Sequence, residues 1–261
     1  MSLLNPLFDP AREAALVTGA GNGIGRAIAH ALVGEGLRTV FADVRQDLVA
    51  AAAAASPRPE LAVAWVGDLA SRGACDELLA AAHSAVGRVT HFVHSAAPQR
   101  HEADHALAVT TETWERMHAV NVDAGFHLAR ELARQLIAAD QPRSFLMLTS
   151  LHAGTPRNLP HYSTAKRPRH VGKGAGQDFR ALWNTGQCFG AGRDCRRRFM
   201  ADPSLARHIP LGRLGRSEDL APMALAVLSN RVSAYITGAA IVVDGGLSLT
   251  NWFDPPTLDD V

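Results

Sequence analysis

Thr18-Gly19-Ala20-Gly21-Asn22-Gly23-Ile24-Gly25 follows an apolar run, Ala14-Ala15-Leu16-Val17, and precedes an alanine-rich segment, Arg26 to Val33, whose apolar residues recur at helical spacing. The order is strand, tight turn, helix start. Glycine tolerates positive φ and carries no Cβ, so backbone at Gly19, Gly23 and Gly25 can turn sharply and approach a diphosphate over the helix N-terminus. Free N–H groups and the helix dipole favour an anion there. A dinucleotide fits such a turn, with Asn22 and Ile24 inside it.

Surface loops also use glycine for geometry alone, so the surrounding sequence decides. The next apolar run, Thr39-Val40-Phe41-Ala42, ends at Asp43, 18 residues beyond Gly25. A carboxylate there accepts from both hydroxyls of an adenosine ribose and repels a 2′-phosphate. This predicts NAD rather than NADP, with Arg45 nearby as the opposing feature.

A chain of 261 residues with 47% apolar content can bury one large α/β core. Lys and Arg number 26 against 25 Asp and Glu, so no global field recruits nucleic acid or an anionic membrane, and the expected partner is a small molecule. Cys75, Cys188 and Cys195 form no paired framework and no C-x-x-C, which suits a reducing compartment. No run reaches membrane-spanning length and the first residues lack a secretory pattern, so the expected location is cytoplasmic. No metal site is read.

Further along, an alanine run, Ala50 to Ala55, is stopped by Ser56-Pro57-Arg58-Pro59. A third strand, Leu61 to Val66, leads into Gly67-Asp68-Leu69, where Asp68 either accepts from an adenine amino group or caps the next helix. Ser71 to Val86 reads as an amphipathic helix, and Val89 to His94 as a fourth strand entering Ser95-Ala96-Ala97-Pro98, whose small residues let backbone approach a cofactor. Thr111 to Ile137 is helical by pattern, with Trp114, Met117, Val120, Phe126, Leu128, Leu132 and Leu136 as its expected buried face. Asn121 interrupts that face, either as a polar residue satisfied by backbone or as a hydrogen-bonding group of a site. Ser144 to Thr149 is a fifth strand ending at Ser150. Strands and helices alternate throughout, which predicts a parallel sheet covered on both faces.

Tyr162 and Lys166 lie four apart and share a face of a helix. An ammonium held near the phenol favours the phenolate by opposite charge and makes Tyr162 usable as acid and base. Taken in order, Thr18-Gly19-x-x-x-Gly23-x-Gly25, Asp43, Asp68, Asn121, Ser150 and Tyr162-x-x-x-Lys166 resemble the short-chain dehydrogenase/reductase family. The resemblance returns in Pro210-Leu211-Gly212-Arg213-Leu214-Gly215 and in Ile236-Thr237-Gly238 before Val243-Asp244-Gly245-Gly246. It implies hydride transfer between a nicotinamide and a secondary alcohol or ketone. In that scheme Tyr162 exchanges the proton, Ser150 bonds the substrate oxygen, Lys166 also holds the nicotinamide ribose, and Asn121 supports a proton-relaying water. The cofactor would lie along Gly19, Asn22, Gly23, Ile24, Gly25, Asp43, Asp68, Leu69, Ser95, Ala96 and Ala97. Two departures are local: His94-Ser95-Ala96-Ala97 replaces Asn-Asn-Ala-Gly, and Ser150 lies 12 residues before Tyr162, one fewer than usual.

From Arg167 to about Phe199 the resemblance stops. Pro168 and the glycines Gly172, Gly174 and Gly176 oppose the helix expected there. Codons for this stretch, re-read one base later, can spell Gly-Ile-Arg-Val-Asn-Ala-Leu-Ala-Pro-Gly, which resembles the family's missing sixth strand and Pro-Gly turn. A compensated frameshift is therefore expected, against the alternatives of an insertion or a loop. The gene's nucleotide sequence and peptide mapping of the protein test this: in-frame codons that do not yield that peptide remove it.

The expected architecture is a single doubly wound α/β Rossmann domain, three layers deep. Family resemblance orders its seven parallel strands 3-2-1-4-5-6-7 and implies a homodimer or homotetramer, which an altered segment at 167–199 would put in question. The expected function is NAD-dependent oxidoreduction of a small alcohol or carbonyl compound. The alternative is a nucleotide-binding protein with a disrupted substrate pocket. Asn5-Pro6-Leu7-Phe8-Asp9 faintly resembles sugar-acid dehydrogenases of the family and Ser150-Leu151-His152 resembles polyol dehydrogenases, while steroids, acyl thioesters and diols stay open.

Overall fold

The computed structural model describes residues 6–101, 103–142, 144–154, 158–166, 206–207 and 209–249, and the backbone of 181–186. Seven strands form one parallel sheet: β1 (Ala14–Thr18), β2 (Arg38–Asp43), β3 (Ala62–Val66), β4 (His91–His94), β5 (Ser144–Leu148), β6 (Ala181–Gly186) and β7 (Ala240–Val243). Their order is β3-β2-β1-β4-β5-β6-β7, as expected. In register, Leu16 stands between Val40 and Phe92, and Phe92 opposite Phe145.

β1, β4 and β5 are buried along their whole length because both of their faces are covered. Alternate residues feed two cores. Ala15, Val17, Phe41, Val93 and Leu146 pack with Ile28 and Leu32 of α1 (Gly23–Gly34). A later helix, Ala221–Leu228, adds Ala224, Val227 and Leu228 to this face. Leu16, Val40, Phe92 and Phe145 pack on the other face with Cys75, Leu78 and Ala82, and with Leu128, Leu132 and Leu136. That gives three layers in a single Rossmann domain. α2 (Gln46–Ala54) connects β2 to β3, and α3 (Arg72–Val86) connects β3 to β4.

The long helix expected over 111–137 is not continuous. It runs as α4 (Thr111–His118), a π-helical segment (Ala119–Ala124) and α5 (Gly125–Ala138). A π turn takes in more residues than an α turn and so shifts the phase of the apolar stripe. Met117, Val120, Leu128, Leu132 and Leu136 are buried as expected, but Trp114 and Phe126 are 38% and 39% exposed. A strictly 3.6-residue period carried across the bulge misplaces them.

Within the segment at 167–199 that departs from the family pattern, Ala181–Gly186 takes the sixth place in the sheet, between β5 and β7. The rest of that segment lies outside the described residues, and so does the expected Pro-Gly turn. No helix among the described residues is long and apolar enough to cross a membrane.

Candidate active site

Parallel strands align their carboxyl ends on one edge, so Gly19, Asp43, Asp68, Ser95 and Ser150 all emerge there. Chain order reverses between β1 and β4, and the crevice at such a switch point is where this architecture takes ligands. Gly19 has φ +66°, and a Cβ on it would lie 2.7 Å from the Ala96 nitrogen. A Cβ on Gly25 would lie 2.2 Å from the Gly19 carbonyl oxygen. Both positions therefore require glycine, one for its dihedral and one for close packing of helix on turn. Asn22 caps α1 in extended conformation without a side-chain bond, and no acid stands in the first turn. The leading N–H groups of α1 are thus unclaimed by side chains, which suits a diphosphate.

An open cleft continues from this turn, lined by Gly19, Asp43, Gly67, Asp68, Leu69 and the Ala96-Ala97-Pro98 segment. Asp43 Oδ2 accepts from the Gly21 N–H at 3.0 Å and Oδ1 from the Arg45 N–H at 3.0 Å, which fixes the carboxylate at the strand end. Asp68 does not cap α3; Ser71 does, accepting from Ala74 N–H. Asp68 instead accepts from Ala70 N–H at 3.0 Å and from Arg116 at 2.8 Å. Burial alone would raise its pKa, but these two donors hold it below the usual carboxylate value.

The tyrosine–lysine pair sits at the end of β5. Tyr162 belongs to α6 (Pro160–Ala165), which opens with proline at its first position, and Lys166 caps its end. Lys166 Nζ donates to the Leu148 carbonyl oxygen at 3.2 Å and lies 6.0 Å from the centre of the Tyr162 ring. Burial, together with the Arg100 charge, pushes this ammonium down to about 8. The Ser150 hydroxyl, buried, accepts from His152 N–H at 3.2 Å. The His152 ring in turn meets Tyr162 edge-on at 5.9 Å. Ser150 and Tyr162 are thereby bridged through His152.

Asn121 lies in the π-helical segment. Its amide donates to the Met117 carbonyl oxygen at 2.9 Å, while its buried Oδ1 has no hydrogen-bond partner. The reading of a polar residue satisfied by backbone accounts for the donor, and the acceptor is left over. A buried acceptor without a partner is a place for a bridging water.

Two groups escape the sequence reading. Arg100 covers the Tyr162 ring, with its guanidinium carbon 4.4 Å from the centre. His94, in sequence only a departure from Asn, is a buried connector: Nδ1 meets Thr18 Oγ1 at 2.9 Å and Nε2 meets the Val120 carbonyl oxygen at 3.0 Å. The absent Cβ of Gly125 would stand 2.8 Å from this ring. The signal is a pairing of His94 with Gly125, but only spatial proximity makes it a pair.

Comparison with known proteins agrees with this geometry. The profile of the family described as short chain dehydrogenase matches residues 13–169, and one described as Enoyl-(Acyl carrier protein) reductase matches residues 193–248. The chain is 31% identical to a galactitol 2-dehydrogenase (L-tagatose-forming) of Cereibacter sphaeroides, over 90% of this chain and 94% of that one. Among solved structures it resembles a 3-ketoacyl-(acyl-carrier-protein) reductase from Brucella melitensis complexed with NADH (27% identity, TM-score 0.78, covering 90% and 98% of the two chains). It also resembles a gluconate 5-dehydrogenase from Burkholderia cenocepacia in complex with NADP and tartrate (25% identity, TM-score 0.82, covering 96% and 100%).

Proposed function

The chain belongs to the short-chain dehydrogenase family, and from that premise we propose that it oxidises a secondary alcohol, or reduces the corresponding ketone, of a small molecule with NAD, Tyr162 exchanging the proton. The observation that carries this reading is the meeting of a tyrosine–lysine pair with a glycine-built helix start on one edge of one sheet.

Bound in the cleft, a nicotinamide dinucleotide supplies the hydride acceptor or donor. The protein's own residues handle position and proton. In the oxidation, the Tyr162 oxygen takes the hydroxyl proton as the carbon–hydrogen bond gives up its hydride; in the reduction it returns that proton. Lys166, anchored on the Leu148 carbonyl, keeps a cation near the phenol and has further donors for a ribose hydroxyl. Ser150 orients the substrate oxygen, and Asn121 Oδ1 holds a water through which the proton reaches solvent. Holding these groups in one geometry contributes a large share of the rate. Gly19, Asn22, Gly23, Ile24 and Gly25 receive the diphosphate, Asp43 the ribose, and Asp68 with Leu69 the adenine side, while Ser95, Ala96 and Ala97 border the nicotinamide side.

Relatives with NADH and with NADP both occur, so the choice between them rests on Asp43. Its carboxylate accepts from ribose hydroxyls and repels a phosphate. Replacement by Asn keeps the bond to Gly21 N–H but removes the charge, and the ratio of kcat/KM for NAD over NADP is expected to fall about 10- to 100-fold, the range of one charge-assisted hydrogen bond. An unchanged ratio in steady-state assays would remove Asp43 as the discriminator.

The test of the function is NADH absorbance with a panel of secondary alcohols and ketones. Stabilisation by NAD in thermal melts without turnover of any of them would instead establish a binding protein.

A further inference from the structure

Arg100 makes no hydrogen bond or ion pair among the described residues, and its Nη1 is buried without any partner. The Tyr162 ring face accepts part of the guanidinium charge, at 4.4 Å from the ring centre. A guanidinium over a ring face gains from its charge, while the ring offers its N–H donors no lone-pair acceptor. A buried donor without an acceptor destabilises the protein unless something else supplies one.

The electrostatic setting has the same sense. Arg100 and Lys166 border one ring. Asp104, a carboxylate close by in the chain, is engaged elsewhere: it accepts from His101 N–H at 3.1 Å and faces His161 Nε2 at 3.7 Å. Two cations therefore share the surroundings of the reacting phenol, and no anion among the described residues is paired to either. The diphosphate of a cofactor is directed to the start of α1 and its ribose to Asp43, in a cleft whose lining does not include Arg100. What remains for Arg100 is the substrate.

Resting on the reading of Tyr162 as the proton-exchanging group, we propose that Arg100 recognises a carboxylate on the substrate, which is therefore a small hydroxy acid or its keto acid rather than a neutral alcohol. A planar guanidinium matches a carboxylate with two parallel N–H bonds, a geometry an ammonium cannot reproduce. With the carboxylate on Arg100, the hydroxyl of a short hydroxy acid reaches the phenol on which that guanidinium is stacked. Arg100 thus sets specificity, and Tyr162 and Ser150 act on the hydroxyl.

The test compares acids with neutral counterparts of the same skeleton, gluconate with sorbitol and glycerate with glycerol, titrated calorimetrically into the full chain loaded with NAD. At least one acid is expected to bind ten times or more tighter than its neutral counterpart. Arg100→Gln is expected to abolish that preference, and Arg100→Lys to retain a part of it, with cofactor affinity as the control for folding in each variant. Equal affinity for acid and neutral partner, failure of every pair to bind, or a preference that survives Arg100→Gln overturns the proposal. Because binding is read without turnover, a wild-type protein that selects acids but loses no rate on Tyr162→Phe would fault the proton-exchange reading alone.

Discussion

Tyr162→Phe is expected to lower kcat by about 10²- to 10⁴-fold, the usual contribution of a positioned acid or base, while the affinity for NAD stays within a factor of two or so. The substitution deletes one oxygen and keeps the ring. That ring carries structural contacts of its own: Arg100 stacks on its face and His152 meets its edge. Phenylalanine preserves both, so a loss of rate reports the hydroxyl and not collapse of the loop. The cofactor elements are independent of it, since Gly19 packs on Ala96 and Asp43 is tied to Gly21. A variant that keeps more than a tenth of the wild-type kcat, measured by NADH absorbance, would place the proton transfer elsewhere. Lys166→Met adds a second arm: the cation near the phenol is lost while the stem keeps its packing, so kcat is expected to fall and KM for NAD to rise if the ammonium also holds the ribose.

The cofactor half of this molecule is written locally. Thr18 to Gly25 encodes a strand end, a turn and a helix start within a few residues, with Gly19 and Gly23 needed for their positive φ and Gly25 for its packing on Gly19. Asp43 is legible for the same reason, because strand length fixes where the carboxylate falls. The substrate half is assembled from distant pieces. A regular period puts Trp114 and Phe126 on the buried face because it hides a π-helical bulge, and only packing on the sheet reveals the phase shift. Asp68 reads in sequence either as an acceptor for adenine or as a helix cap; Ser71, three residues on, takes the cap, and Arg116 from α4 bonds the carboxylate across a separation of 48 residues. Arg100 carries no motif at all. Its importance lies in what surrounds it, a tyrosine ring 62 residues away and an absence of acceptors among the described residues.

His94 predicts how the protein responds to acid. A carbonyl oxygen only accepts, so Nε2 must carry the proton that faces Val120, and Nδ1 must accept from the Thr18 hydroxyl. The Thr18 oxygen meanwhile accepts from the N–H groups of Ser95 and Ala96, at 3.2 and 3.3 Å. Every group in the chain of bonds is committed to a neutral imidazole. A second proton on Nδ1 would point at a hydroxyl hydrogen and break the link between β1, β4 and the π-helical segment. Burial, reinforced by the Lys166 charge and opposed by the bond to Val120, lowers this histidine from 6.5 to about 4. Between those values the unfolded chain binds a proton that the native state refuses, so stability rises with pH across the window and is lost as pH falls from 6.5 toward 4. Each tenfold difference in proton affinity between the two states is worth about 1.4 kcal/mol, so the loss approaches ~3 kcal/mol. In a chain of this size that corresponds to roughly 6 to 12 °C in Tm. His94→Asn removes the titrating group. It also shortens the connector, so the variant is expected to be less stable at pH 7 by about 1–3 kcal/mol, the cost of a buried partner left unpaired. The informative quantity is the difference between the two pH profiles, because the remaining histidines titrate in both. That difference should narrow steadily from pH 6.5 to pH 4 in thermal or urea melts. Parallel profiles would mean that His94 takes up its proton at the same pH in the folded and the unfolded chain. Since Val120 directly precedes Asn121, the same acid step frees the backbone that carries the unpaired Oδ1, and wild-type turnover should decline through the same window before the protein unfolds.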